Sequence, residues 1–142
     1  MVVQALACAA LLSDPDPGDL VVVTATRTPA TCCRSASRLP EPERLVLRGP
    51  DPCVTERAYD LGVATRDFSA TLLASPGTAA ERVWSWCVRA AAASGTDPGR
   101  VWAWSLLERV STGLYVTSFG APRVGAPFLR TAALLVEQGR PD

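Results

Sequence analysis

The chain has 142 residues, of which 48% are hydrophobic, and its formal net charge is zero. This length suits one ordinary domain with a buried core, and the composition disfavours both a disordered chain and a nucleic-acid-binding surface. All 14 basic residues are arginine, and lysine, histidine, asparagine and isoleucine are absent. The chain as written therefore has no phosphate-loop lysine, no Ser-His or Cys-His catalytic pair and no histidine ligand for zinc.

The cysteines and the N-terminal run bear on the compartment of the protein. Five cysteines, an odd number without a C-x-x-C pair, argue against a disulfide framework and for reduced thiols. The run MVVQALACAALL is apolar enough for a signal peptide, but it lacks the positively charged start of one. No apolar stretch is long enough to cross a bilayer. We therefore expect a cytoplasmic protein without membrane contact.

Regular secondary structure is predicted for the first 23 residues and not for the 30 residues that follow. Residues 2–12 are predicted to form a short helix and residues 20–23 a buried strand, with an Asp/Pro/Gly turn between them. From residue 24 to residue 53 neither a helical nor a strand period is sustained, and prolines interrupt the segment repeatedly. An irregular stretch of this length is uncommon inside a compact domain.

The remainder, residues 54–142, is predicted to be helical. Residues 56–73 carry apolar side chains at helical spacing and end before a Ser-Pro-Gly sequence. Thr78 and Glu81 then form a capping-box pattern, in which each side chain can satisfy a backbone N–H of the first turn. This pattern predicts a second helix over residues 79–94.

Two further helices complete the predicted fold. Asp97 and Pro98 supply an N-cap and a proline at the first helical position, and they predict a helix through residue 118. A last helix is predicted over residues 124–138. The fold class is thus mostly α with a short β element. The chain divides into a helix-turn-strand unit, an irregular segment and a helical part, at residues 1–23, 24–53 and 54–142.

The tryptophans and the acids are the side chains most suggestive of a site. The tryptophans form two W-x-W pairs, and a spacing of two places the members of a pair on different helix faces. Packing therefore explains them better than a stacking platform for bases or sugars. Four acids could form a site for a cation or an amine if the fold brings them together: Asp51, Asp60, Asp67 and Glu108.

Two segments resemble a known family. They are ERAYDLGVATRDFSATLL, from residue 56, and ERVSTGLYVTSFG, from residue 108. They resemble the C-terminal lobe of the aminoglycoside and streptomycin-kinase-like phosphotransferases, which act in antibiotic resistance. The resemblance implies a protein-kinase-like fold with a helical large lobe and a small nucleotide-binding lobe, and we expect this chain to lack the small lobe. It also implies ATP, Mg²⁺ and a small-molecule acceptor hydroxyl of aminoglycoside type.

The irregular segment departs from the family at the catalytic signature. In the family a Val-rich strand is followed by His-Gly-Asp-x-His-x-x-Asn, whereas residues 24–33 here are TATRTPATCC. Read one base earlier, permitted codons for those residues spell His-Gly-Asp-Pro-His-Pro-Gly-Asn-Leu-Leu. We hypothesise that this segment is the catalytic loop translated out of frame, and that a second slip at Arg48-Gly49 hides a Val-Asp pair that would hold magnesium. The competing interpretation is a genuinely divergent loop.

The resemblance assigns positions to the missing catalytic groups. Thr26 stands at the position of the catalytic aspartate, Thr31 at that of the asparagine and Gly49 at that of the magnesium aspartate. Because a threonine is not a carboxylate base and a glycine offers no side-chain ligand, we expect the chain to be inactive as written, with neither ATP nor Mg²⁺ bound. Asp51 stands beside the magnesium position and is the candidate metal ligand.

The remaining acids receive their roles from the same resemblance. Asp60 is expected to be a structural acid near the site, and Asp67 and Glu108 are expected to form a wall that receives a cationic substrate. The alternative function is a non-catalytic helical interaction module with an exposed tryptophan face. A nucleic-acid partner is disfavoured, because zero net charge gives no basic surface.

Overall fold

The computed structural model describes residues 1–24, 32–34, 45–47 and 52–141. This part of the chain is mostly helical and contains short antiparallel strands, as the sequence predicts. In chain order the elements are α1 (Val2–Leu12), β1 (Leu20–Thr24), β2 (Cys32–Arg34), β3 (Leu45–Leu47), β4 (Pro52–Glu56), α2 (Arg57–Arg66), α3 (Ser69–Ala74), α4 (Ala79–Ser94), α5 (Pro98–Ser118) and α6 (Pro122–Gln138). None of the helices in the described ranges is both long and apolar enough to cross a membrane.

The strands form two antiparallel pairs. β1 pairs with β4, so that Leu20 lies opposite Glu56 and Thr24 opposite Pro52. β2 pairs with β3, with Cys32 opposite Leu47. The second pair lies inside the segment for which the sequence predicts no regular element, and three-residue strands are too short to produce a visible period.

Helix α5 is the centre of the helical part, because it contacts α1, α2, α4 and α6. Each large apolar side chain that these contacts remove from water contributes about 1.5–3 kcal/mol. The buried apolar side chains come from several helices and include Leu12, Leu72, Val83, Val101, Leu106, Val110 and Leu135.

The predicted helix over residues 56–73 is two helices, α2 and α3, with a break at Asp67 and Phe68. In an uninterrupted helix the carbonyl of Thr65 would accept a hydrogen bond from the N–H of Ser69. Here that carbonyl accepts from the guanidinium of Arg109 on α5 at 2.5 Å and from the N–H of Phe68, one residue earlier than in a continuous helix, at 3.4 Å. A partner from a distant helix thus takes part in the break, and no local pattern could predict it.

The start of α4 also differs from its predicted chemistry, although its bounds are as predicted. Thr78 precedes the helix but makes no capping hydrogen bond to its first turn, and its hydroxyl donates to the carbonyl of Ser75 at 3.3 Å. The cap comes from Gln138 at the end of α6, whose Oε1 accepts from the N–H of Ala80 at 2.9 Å. The predicted capping box is therefore wrong. A 3-10 turn before the helix leaves Thr78 at φ −118° and ψ 18°, outside the extended geometry of an N-cap.

The start of α5 follows the local signal. Asp97 Oδ2 accepts from the N–H of Arg100 at 2.9 Å, and Pro98 occupies the first helical position. Just before it, Gly95 ends α4 with a φ of +72°, a conformation that favours glycine. Helix α6 begins at Pro122, two residues earlier than predicted, which suits a proline at the first helical position.

The tryptophans pack against other aromatic rings. In the second W-x-W pair Trp102 is buried and Trp104 is only partly buried, as predicted, whereas both members of the first pair are partly buried. The ring contacts are Trp84 with Trp102 at 6.1 Å, Trp86 with Phe68 at 5.4 Å and Trp104 with Tyr59 at 4.9 Å between centroids. The tryptophans therefore serve packing between α2, α4 and α5.

Candidate functional site

The β1–β4 pair flanks the segment that contains the predicted catalytic positions, with β1 before it and β4 after it. Because Thr24 lies opposite Pro52, the chain leaves β1 and enters β4 at the same end of the sheet. The predicted catalytic positions Thr26 and Thr31 and the predicted metal ligand Asp51 lie outside the described residues.

The two acids predicted to receive a cationic substrate meet on one arginine. Arg66, the last residue of α2, donates from Nε to Asp67 Oδ1 at 3.3 Å and from Nη1 to Glu108 Oε2 at 3.2 Å. Nη1 also donates to Thr112 Oγ1 at 3.1 Å. Asp67 and Glu108, far apart in sequence, thus belong to one cluster between α2 and α5, which we call the acidic cluster: Arg66, Asp67, Glu108 and Thr112.

The acidic cluster holds two carboxylates on one hydrogen-bonding guanidinium in a partly buried place, and the buried cation Arg109 lies close enough to interact with the charge of Asp67. Two carboxylates share one guanidinium, and their side chains are only 11% and 15% exposed. Burial raises the pKa of Glu108, while the charge of Arg66 and its hydrogen bond act in the opposite direction. A second cation placed beside Glu108 would therefore contact a carboxylate that is poorly solvated and shares its hydrogen-bonding guanidinium with Asp67.

A buried arginine holds the cluster in position. Arg109, next to Glu108 on α5, has no exposed surface. Its guanidinium donates to the carbonyl of Thr65 at 2.5 Å, to Thr65 Oγ1 at 3.2 Å and to the carbonyl of Ser105 at 2.8 Å. The two bonds to Thr65 hold the last turn of α2 against α5, and Arg66 and Asp67 come directly after Thr65.

Burial also sets the charge state around Arg109. It lowers the pKa of Arg109 to about 10, so the side chain is still a cation at neutral pH. On the adjacent α4, burial raises the pKa of Cys87 to about 12, against the opposing effect of Arg109. Cys87 is accordingly a neutral thiol and an unreactive one.

Two other acids lie near the start of α2. Glu56 is 2% exposed and accepts from Nε of Arg100 at 2.5 Å and from the indole N–H of Trp104. It connects the end of β4 to α5, and no sequence pattern marks this residue. Asp60 lies in the first turn of α2, where a carboxylate favours the helix dipole. Its predicted role as a structural acid beside the catalytic segment stays a prediction, because that segment lies outside the described residues.

The sequence predicted both carboxylates of the acidic cluster as site residues, but neither Arg66 nor the buried Arg109 beside it. Arg109 carried a usable signal, because it stands three residues after Leu106 and seven after Trp102, on the apolar side of α5. A charge on such a stripe indicates a buried polar network. Arg66 carried no comparable signal, since an arginine at the end of a helix is an ordinary surface residue.

The described part of the chain offers charged and hydrogen-bonding side chains to a ligand. Within residues 1–24, 32–34, 45–47 and 52–141 no group of three or more His, Cys, Asp or Glu side chains is placed to hold a metal ion. No protein-family model, no curated protein and no solved structure matches the chain.

Proposed function

We propose that this chain is the helical large-lobe part of an ATP-dependent, aminoglycoside-type O-phosphotransferase with a protein-kinase-like fold, inactive as its sequence stands. The observation that carries the proposal is the pairing of Thr24 with Pro52. The family's catalytic loop follows the Val-rich strand, and its magnesium pair lies shortly before the A-Y-D-L-G helix. Both must reach the same phosphoryl group, so strands that bring the two segments to one end of a sheet support the proposal.

The acidic cluster supports an amine-bearing acceptor. Aminoglycosides carry several ammonium groups, and Asp67 and Glu108 offer carboxylate oxygens to an ammonium because both share the single hydrogen-bonding guanidinium of Arg66. Such a contact would hold the acceptor while its hydroxyl is presented to the phosphoryl donor. Positioning of this kind is the main contribution of a protein to phosphoryl transfer.

The inactivity follows from the side chains at the catalytic positions. The threonines at 26 and 31 cannot replace a carboxylate base and a cation-binding amide, and Gly49 brings no ligand to magnesium. ATP and Mg²⁺ are thus proposed as cofactors of the intact protein and not of this chain. An ATP-dependent reaction and reduced thiols both suit the cytoplasm.

The test begins with the gene, sequenced from well upstream of Met1 through the codon of Glu56. We expect single-base slips after the codon of Val23 and before that of Asp51, and an upstream open frame for a nucleotide-binding lobe. The repaired protein should transfer labelled γ-phosphate from ATP to streptomycin or another aminoglycoside, and the chain as written should not. A repaired protein whose loop aspartate is changed to asparagine is the control and should be inactive.

Variants of the repaired protein test the acidic cluster separately. Asp67→Asn and Glu108→Gln should each raise KM for aminoglycosides about tenfold with a smaller change in kcat, because each removes one charge-assisted contact. Glu137→Gln, an exposed acid on α6, should leave KM unchanged. A gene without slips and without an upstream frame, or a repaired protein that phosphorylates no aminoglycoside, would contradict the proposed function.

One observation favours a second candidate, a non-catalytic helical interaction module. At the end of α5, Tyr115 and Phe119 are 64% and 73% exposed and their rings touch at 4.7 Å. This pair is more exposed than the partly buried tryptophans are. Binding of a non-hydrolysable ATP analogue to the repaired protein separates the candidates, since an interaction module should bind none.

A further inference from the structure

A groove between α2 and α4 is separate from the acidic cluster. Its volume is about 330 Å³, and its walls are mostly apolar. Leu61, Ala64 and Phe68 form the side contributed by α2 and the break after it, and Trp86 and Ala90 form the side contributed by α4. A space of this size holds a small two-ring molecule.

The walls of the groove present aromatic surface to solvent. The rings of Phe68 and Trp86 lie 5.4 Å apart between centroids and are tilted by 54°. Phe68 is 47% exposed, although an apolar side chain of this size gains free energy by burial. A planar ring laid against this pair would bury the exposed part of Phe68 and make the offset or edge contacts that aromatic groups prefer.

The floor of the groove offers no free hydrogen-bonding group. Thr65 is its polar residue, and the Thr65 hydroxyl already lies 2.8 Å from the carbonyl of Gly62, 2.7 Å from Ser105 Oγ and 3.2 Å from Arg109 Nη1. One donor and two acceptor positions are all that a hydroxyl has. A ligand therefore gains nothing from a polar group directed at the floor.

The rim supplies a single positive charge. Arg89 lines the groove one turn after Trp86, and no acidic residue is among the lining side chains. No ion pair or hydrogen bond joins the Arg89 side chain to another residue of the described ranges. An exposed guanidinium without a partner can form two parallel hydrogen bonds to a carboxylate.

We propose that this groove binds a small planar aromatic ring that carries one carboxylate, with the ring against Phe68 and Trp86 and the carboxylate on Arg89. This ligand is an anion, whereas the proposed amine-bearing acceptor is a cation, so the groove is a second site. The proposal for the groove does not depend on the proposed phosphotransferase function.

The test compares two ligands of the same shape, 2-naphthoate and its uncharged amide 2-naphthamide, by isothermal titration calorimetry on the chain as written. We expect naphthoate to bind about tenfold more tightly, which is the low end for a hydrogen bond to a charged group, since the site is open to water. Arg89→Gln should abolish this preference. Arg82→Gln, which removes an exposed arginine from the same helix outside the groove, should preserve it.

A second pair of variants locates the binding. Ala64→Leu places a larger side chain in the groove and should abolish naphthoate binding, whereas Ala92→Leu on the outer side of α4 should not. Circular dichroism establishes that each variant keeps its helix content. Equal affinity for the two ligands, undetectable naphthoate binding, or undiminished binding to Ala64→Leu would overturn the proposal.

Discussion

Helix α5 meets its neighbours in two different ways. Toward α6 the contact is close and apolar, because Gly113 and Gly125 face each other with no room for a side chain. Toward α2 the contact is just as close at Gly62, where an added Cβ would clash with α5, but it also carries polar bonds from Arg109 and Ser105 of α5 to Thr65. The first kind of contact depends on shape alone, whereas the second depends both on shape and on its polar partners. The candidate site lies on the second, where charges are already held in defined places.

The largest effect is expected at the polar contact. Arg109→Met would remove the guanidinium that donates to the buried carbonyl and hydroxyl of Thr65, whereas the carbonyl of Ser105 keeps the helical N–H of residue 109. Each unsatisfied buried acceptor costs about 1–3 kcal/mol, and relief from burying the charge returns part of this. We expect a loss of about 3 kcal/mol in the free energy of unfolding, measured by urea denaturation. Arg123→Met, at an exposed arginine, is the control and should change the free energy by less than about 0.5 kcal/mol.

The apolar contact should respond to a single methyl group. A Cβ on Gly125 would lie 2.5 Å from the carbonyl oxygen of Gly113, a backbone atom that cannot rotate away. We therefore expect Gly125→Ala to cost about 2 kcal/mol in the same assay. Gly77→Ala, where a Cβ would meet nothing within 4 Å, serves as the matched change and should be neutral. If both alanines are neutral, α5 and α6 are not in close contact here.

A smaller effect is expected where a polar contact lies at the surface. Gln138 caps α4 and also donates from Nε2 to the carbonyl of Pro76 at 2.7 Å. Gln138→Ala should lower the free energy of unfolding by about 1 kcal/mol, as the loss of other helix caps does. Thr78→Ala should cost less, because the Thr78 side chain does not cap the helix. The reverse order in thermal or urea unfolding would show that the capping box forms in solution.

The smallest effect is a trend with pH. Burial raises the folded-state pKa of Glu108 above its usual value, so the folded protein holds this proton more tightly than the unfolded chain does. The contribution of Glu108 to stability is therefore fully present below the unfolded pKa and declines as the pH rises through the folded pKa. We expect the stability of the wild type relative to Glu108→Gln to fall between pH 4 and pH 7. A rise over that range would mean that Arg66 outweighs burial.

The contrast between local and distant partners explains what the sequence could predict. The start of α5 and the end of α4 were predicted correctly, because Asp97, Pro98 and Gly95 act on their own turns. The break after α2 and the cap of α4 were missed, because their partners are 44 and 58 residues away. A pattern within one helix contains no information on such partners.

In the candidate site, too, the sequence predicted single residues but not the contacts between distant ones. Asp67 and Glu108 could be selected as acids from the sequence, but Arg66, which joins them across 42 residues, could not. The roles assigned to Thr26, Thr31 and Asp51 came from the resemblance alone. These three residues lie outside the described residues. They stay predictions.

The adjacency of Thr24 and Pro52 has a consequence for chain entropy. When the two ends of a segment are held together, the entropic cost of closing it depends on its length only weakly, at about 0.6 kcal/mol for each doubling. The pairing of β1 with β4 thus makes the cost of ordering the helices nearly independent of how many residues connect the two strands. A gene that lost its reading frame between these strands and regained it afterwards could alter the whole connection and still encode helices that assemble around α5.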